Sequence, residues 1–183
     1  MKRSIIIIAS VLALSSCGSG IAAKAPEHAP DIPFSADAQI TYNGIEMNSH
    51  IIRNGSGDWE LSISEPYALE GLVLTFRNGE TSLGIYGMES AADVSGNAVS
   101  MIKAAAYAYD SAVKSPASAA ASESGYTISG MSETGTYKIG LDKSAVPTVL
   151  TADAGDLRIV FDNFLPLPPS DVQAYIVEGE NLL

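Results

Sequence analysis

From Phe34 onward the chain alternates. Phe34, Ala36, Ala38, Ile40 and Tyr42 share one parity, and Ser35, Asp37, Gln39 and Thr41 the other. That period of two marks a strand with one buried face. Asn43-Gly44 follows, and because both residues tolerate positive φ it predicts a tight hairpin. Ile45, Met47 and Ile51 continue on a return strand, and Asn54-Gly55-Ser56-Gly57 turns the chain again. Trp59, Leu61 and Ile63 alternate with Glu60 and Ser62. Beyond Pro66 and Gly71, Leu72, Leu74 and Phe76 alternate with Val73, Thr75 and Arg77, and Asn78-Gly79 leads on to Leu83 and Ile85. The pattern predicts five antiparallel strands in a meander.

The period then changes. Val99, Ile102, Ala106, Tyr109 and Val113 recur in steps of three and four between Asn97 and Lys114, which predicts one helix with an apolar face. Asn97 or Ser95 is expected to cap its start, and Ser115-Pro116 to stop it. Alanines 104, 105, 106, 108 and 112 let other backbones approach closely. Residues 115–124 are nearly all small and read as a linker.

Alternation resumes with Tyr126 and Ile128, with Tyr137, Ile139 and Leu141, and with Leu157, Ile159 and Phe161. Val160 adds an apolar group on the opposite face of the last run. A short β-prone piece, residues 148–152, lies between. Leu165-Pro166-Leu167-Pro168-Pro169 is expected to be extended, since proline blocks both helix and ladder. Residues 170–177 read as one short helix. The order is about five strands, a helix and about four strands, so the class is α+β and mainly β.

The start of the chain sets the compartment. Lys2 and Arg3 precede an apolar run at residues 5–14 that is interrupted only by Ser10. The run is shorter than the roughly 20 residues a membrane-spanning helix needs and fits the core of an export signal. Leu14-Ser15-Ser16-Cys17-Gly18 resembles the lipobox of bacterial lipoproteins. That resemblance implies cleavage before Cys17, a diacylglycerol on its thiol, and an anchor on the extracytoplasmic face of the cell membrane, or in the outer membrane of a Gram-negative host. Cys17 is the single cysteine of the chain, so it has no internal disulfide partner. Residues 1–16 are read as the signal, 17–33 as the lipidated cysteine and a flexible tether rich in proline and alanine, and 34–183 as one domain.

Charge narrows the partners. The 183 residues carry 21 acidic and 10 basic side chains, a formal charge of −11. Loss of Lys2 and Arg3 with the signal makes it two units more negative. Such a chain repels phosphate backbones and anionic headgroups, so no nucleic-acid partner is expected. Contact with the membrane is expected through the lipid.

The order of elements, with residues 34–87, their Ser64-Glu65-Pro66 turn, and Leu157-Arg158-Ile159-Val160-Phe161-Asp162-Asn163-Phe164, resembles the Lol-type lipoprotein-carrier superfamily. The resemblance implies a strongly curved antiparallel half-barrel of about nine strands, its concave side closed by the main helix. It also implies acyl-chain binding in that concavity. On this reading Trp59, Leu61, Leu74, Phe76, Ile85, Ile102, Tyr109, Tyr137, Ile139, Ile159 and Phe161 line a hydrophobic-ligand cavity.

Catalytic and metal chemistry find little purchase. The two histidines, His28 and His50, have no partner His or Cys at ligand spacing. Asp153 and Asp156 flank Gly155 without the spaced acids of a calcium loop. Ser100-Met101-Ile102-Lys103 and Ser111-Ala112-Val113-Lys114 fit the Ser-x-x-Lys spacing, but no Lys-Thr-Gly strand follows. No enzyme activity, metal or cofactor is expected. Two functions remain open: a carrier or sensor of a lipid or other hydrophobic ligand, and a scaffold with a filled core serving a protein partner in the envelope. A carrier needs a connected apolar void between sheet and helix, and a scaffold has that space packed.

Overall fold

The computed structural model describes residues 25–85, 88–90, 96–115 and 118–168, with backbone alone for 88–90. The export signal, Cys17 and the helix expected at residues 170–177 lie outside the described residues. The elements are β1 (Phe34–Tyr42), β2 (Ile45–Gly55), β3 (Asp58–Glu65), β4 (Leu72–Arg77), β5 (Glu80–Ile85), β6 (Met88–Ser90), α1 (Asn97–Lys114), β7 (Ser118–Ser122), β8 (Gly125–Ser132), β9 (Gly135–Asp142), β10 (Pro147–Ala152) and β11 (Leu157–Pro166).

All eleven strands join one antiparallel sheet in the order β6-β5-β4-β3-β2-β1-β11-β10-β9-β8-β7. Two meanders therefore meet at β1 and β11, where Ala38 faces Phe161 and Ile40 faces Ile159. The expected tight turns are present: Asn43 and Gly44 take φ of 49° and 76°, Asn78 and Gly79 of 51° and 90°. At the β10–β11 turn, a side chain on Gly155 would collide with the ring of Tyr42, and Asn43 donates its N–H to Gly155 O at 2.7 Å.

The sheet is strongly curved and open, a half-barrel. One helix demonstrates the curvature, because α1 touches both β4 and β8. Those strands stand seven places apart in the sheet, about 34 Å if it were flat at ~4.8 Å per strand. A helix is only about 10–12 Å wide. The sheet must curl around it to make both contacts.

The alternation assigns the faces as the sequence predicts. Phe34, Ala36, Ala38, Ile40 and Tyr42 are buried on the concave side, as are Trp59, Leu61 and Ile63, Leu74 and Phe76, and Leu157, Ile159 and Phe161. Val99, Ile102, Ala106 and Tyr109 of α1 are buried against them. So are Met101, Ala104, Ala105, Ala108, Asp110 and Ala112, so the helix is embedded on more than one side.

Four expectations need correction. The strand count is eleven, not about nine. Residues 118–122, read as linker, form β7, because their backbone completes a ladder with β8 although their side chains carry no apolar alternation. Neither Asn97 nor a side chain before it caps α1: Asn97 is the first helical residue, and Gly96 holds the cap position without a side-chain bond. The last residues of the presumed tether are packed. Ala29 is buried, its N–H bonds to Ala112 O at 2.9 Å, and Tyr109 donates its hydroxyl to Pro30 O.

Candidate functional site

Ten of the eleven residues expected to line a cavity come together on the concave face and on α1, and each exposes 6% of its surface or less. Leu74, Tyr109 and Ile139 expose none. The exception is Ile85, 42% exposed near the end of the β5 wing. A side chain facing a void wide enough for an acyl chain would present surface to a water-sized sphere. These side chains instead meet one another. Phe34 lies edge-on to Trp59 and to Phe161, with ring centroids 5.8 and 6.1 Å apart, and stacks on Phe164 at 4.6 Å. Trp59 meets Tyr109 at 5.5 Å, and Phe76 meets Tyr107 at 5.4 Å. Edge-to-face and offset arrangements at these distances are favourable.

A polar knot sits inside this apolar region. Arg53 on β2 is fully buried, although it continues the buried parity of Met47 and Ile51. Asp110 of α1 answers it: Arg53 Nε donates to Asp110 Oδ1 at 3.1 Å. Asp110 Oδ2 accepts the Gly57 N–H at 2.7 Å and Trp59 Nε1–H at 3.3 Å. The remaining guanidinium donors reach Ile32 O and Asp31 Oδ1, both at 3.0 Å. The guanidinium also lies 5.2 Å from the Tyr109 ring centroid and 5.9 Å from that of Trp59, within cation–π range. Burial pushes the Tyr109 phenol well above its usual range and raises that of Tyr137 as well. The knot fastens residues 29–32, α1 and β2 into one unit. Its signal was present in the sequence as a charge at a buried-parity position, Arg53 two residues after Ile51, with a second charge one helical turn after Ala106 at Asp110.

The convex face is polar. Two open clefts of about 770 and 690 Å³ share Gln39, Asn48 and Ser64 in their walls. The larger adds Glu46, Glu65, Tyr67, Glu70 and Arg158, and Tyr67 is 88% exposed. The smaller holds Asp37, whose Oδ1 meets His50 Nδ1 at 3.0 Å and whose Oδ2 accepts from Asn163 Nδ2 at 2.8 Å. The Asn163 bond, and then the His50 bond, hold the Asp37 carboxyl below its ordinary value. Ser62 stands opposite His50 in the β2–β3 register, which completes an Asp-His-Ser row. Among the described residues no hydrogen bond joins His50 to Ser62. The neighbouring strand amides lie in ladders, so no pair of N–H groups converges to hold an oxyanion. The row joins strands and assembles no nucleophile.

Other sequence candidates are separated. His28 is exposed ahead of β1, far along the chain from His50. Ser100 and Lys114 are exposed on α1, with Lys103 and Ser111 half-buried. Among the described residues no group of three or more His, Cys, Asp or Glu side chains is placed to hold a metal, and no helix is long and apolar enough to cross a membrane.

No family model matches the chain, and no curated protein matches it in sequence. Among solved structures it is similar to an uncharacterized conserved protein from Thermus thermophilus, at 13% identity over 78% of this chain and 83% of that one, with a TM-score of 0.43. It is also similar to a LolA superfamily protein from Nitrosomonas europaea, at 7% identity over 80% and 91% of the two chains, with a TM-score of 0.39.

Proposed function

We propose that this chain is a lipoprotein anchored through an acylated Cys17 on the extracytoplasmic side of a bacterial membrane. Its half-barrel is a filled scaffold that serves a protein partner in the envelope. One observation carries the scaffold reading: the residues that a carrier would line its cavity with expose 6% of their surface or less, apart from Ile85. The buried ion pair between Arg53 and Asp110 adds to it, because it ties the cover to the sheet at the point where an acyl chain would need to pass. The polar convex surface, with its two clefts, is the side left for recognition.

A second reading keeps the hydrophobic ligand and makes α1 a removable cover. It is favoured by the five alanines buried on that helix, Ala104, Ala105, Ala106, Ala108 and Ala112. Small side chains interlock little, so lifting α1 would uncover the concave face at modest cost.

The full-length chain separates the two. Cells expressing it are fed a diazirine-bearing fatty acid and irradiated, and the adducts are mapped by peptide mass spectrometry. The scaffold reading expects label on the Cys17 peptide alone. Adducts on the peptides that carry Ile102 or Tyr109 would overturn it in favour of the removable cover.

A further inference from the structure

An open sheet ends in strands whose outer backbone groups have no ladder partner, and proteins normally guard such edges. Lysine, proline, a bulge or a covering segment are the usual means. The strand β7, which ends the sheet order on one side, has none of these within its span. It reads Ser118-Ala119-Ala120-Ala121-Ser122. It pairs with β8 in unbroken register from Ser118↔Ser129 to Ser122↔Gly125. Four of its five residues are exposed and Ala119 is half-buried. Its second edge faces solvent.

We propose that β7 pairs antiparallel with β7 of a second copy of this chain, about a two-fold axis through Ala120, to make one continuous sheet across a dimer. The occupant follows from symmetry. An antiparallel pair of identical strands must match each residue with its mirror position about the axis. Here the matches are Ser118 with Ser122, Ala119 with Ala121, and Ala120 with itself, because the strand reads the same in both directions. No bulky or charged side chain opposes another. Glu123, the nearest carboxylate in sequence, falls at opposite ends of the paired strands, so the two copies of it do not meet. The opposite sheet edge, β6, offers no such closure with β7: a β6–β7 contact between copies would be head-to-tail and would propagate into a filament. The pairing is independent of what the concave face holds.

The test uses the full-length chain in isolated membranes. With Ala120→Cys, the two sulfurs straddle the axis. Directly opposed residues of an antiparallel pair have Cα atoms about 4.5–5.5 Å apart, inside the range that a disulfide spans. Oxidation with copper phenanthroline should convert most of the variant to a covalent dimer on a non-reducing gel, and Ser144→Cys, in the exposed β9–β10 turn, should yield little. Adding Ala119→Lys and Ala121→Lys to Ala120→Cys opposes like charges across the axis and should suppress the dimer several-fold. Ala119→Lys with Ala121→Glu opposes unlike charges and should restore it. Cross-linking of Ala120→Cys no greater than that of Ser144→Cys, or equal suppression by both charge pairs, would overturn the pairing. The chain without added cysteine reports on Cys17 separately, since a free thiol there would dimerise regardless of β7.

Discussion

Arg53 and Asp110 meet at 3.1 Å across the space between β2 and α1, both buried, on elements 57 residues apart. Asp110 is the only carboxylate that reaches Arg53 from within the core among the described residues; Asp31, the other partner, is largely exposed. Removing one member of a buried, hydrogen-bonded pair leaves a charge without compensation, at a cost of about 3–5 kcal/mol. Asp110→Ala is expected to destabilise the protein by that amount in urea melts. Asp110→Asn keeps one acceptor and should lose less. Equal stability of Asp110→Ala and the parent would mean that the knot is not formed.

Ile102 is 1% exposed and faces the sheet from the middle of α1. Shortening it deletes packed methyl groups and leaves a gap, so Ile102→Ala is expected to cost about 2–5 kcal/mol in the same melts. A change within error of zero would put that helix face in solvent and dissolve the half-barrel arrangement.

Asp37 gives a pH prediction of definite sign. Its carboxyl is held below the ordinary value of 3.8, first by Asn163 and then by His50. A group whose folded value is depressed contributes stability that is present above its unfolded value and is lost as the pH falls through the folded one. The window therefore lies below about pH 4. In a carbon-detected NMR titration the Asp37 midpoint should fall below 3.8, and Asn163→Ala should raise it more than His50→Ala does. An unshifted midpoint, or the reverse order, would show that the bridge is not held in solution.

The anchor is tested by fractionation. Cys17→Ala is expected to move the protein out of the membrane pellet, since it removes the thiol that carries the lipid and the strong hold of two or more acyl chains goes with it. Retention of the variant on the membrane at the parent level would end the lipoprotein reading.

The sheet was legible where side chains alternate. Phe34 to Tyr42 and Trp59 to Ile63 show their buried parity directly, and Asn43-Gly44 and Asn78-Gly79 mark their own turns. β7 was not legible, because Ser and Ala satisfy either face and its existence rests on the ladder that β8 offers. The packing of Ala29 and Pro30 was hidden for a different reason. It depends on Arg53, Tyr109 and Ala112, which become neighbours only once the sheet has curled around α1. Of the residues expected to line a cavity, all but Ile85 meet between the concave face and α1. Parity alone does not distinguish a cavity wall from a packed core, because both require the same apolar face.

The filled core is tested most directly by adding volume to it. Ala106 exposes no surface and sits on the face of α1 that meets the sheet. Ala106→Phe in the full-length chain, followed by denaturant melts, distinguishes a packed interface from a void. Overpacking a filled core costs about 1–3 kcal/mol or more, and that loss is the predicted result. A ring taken up without loss, or with a gain in stability, would reveal open space between helix and sheet and contradict the scaffold account.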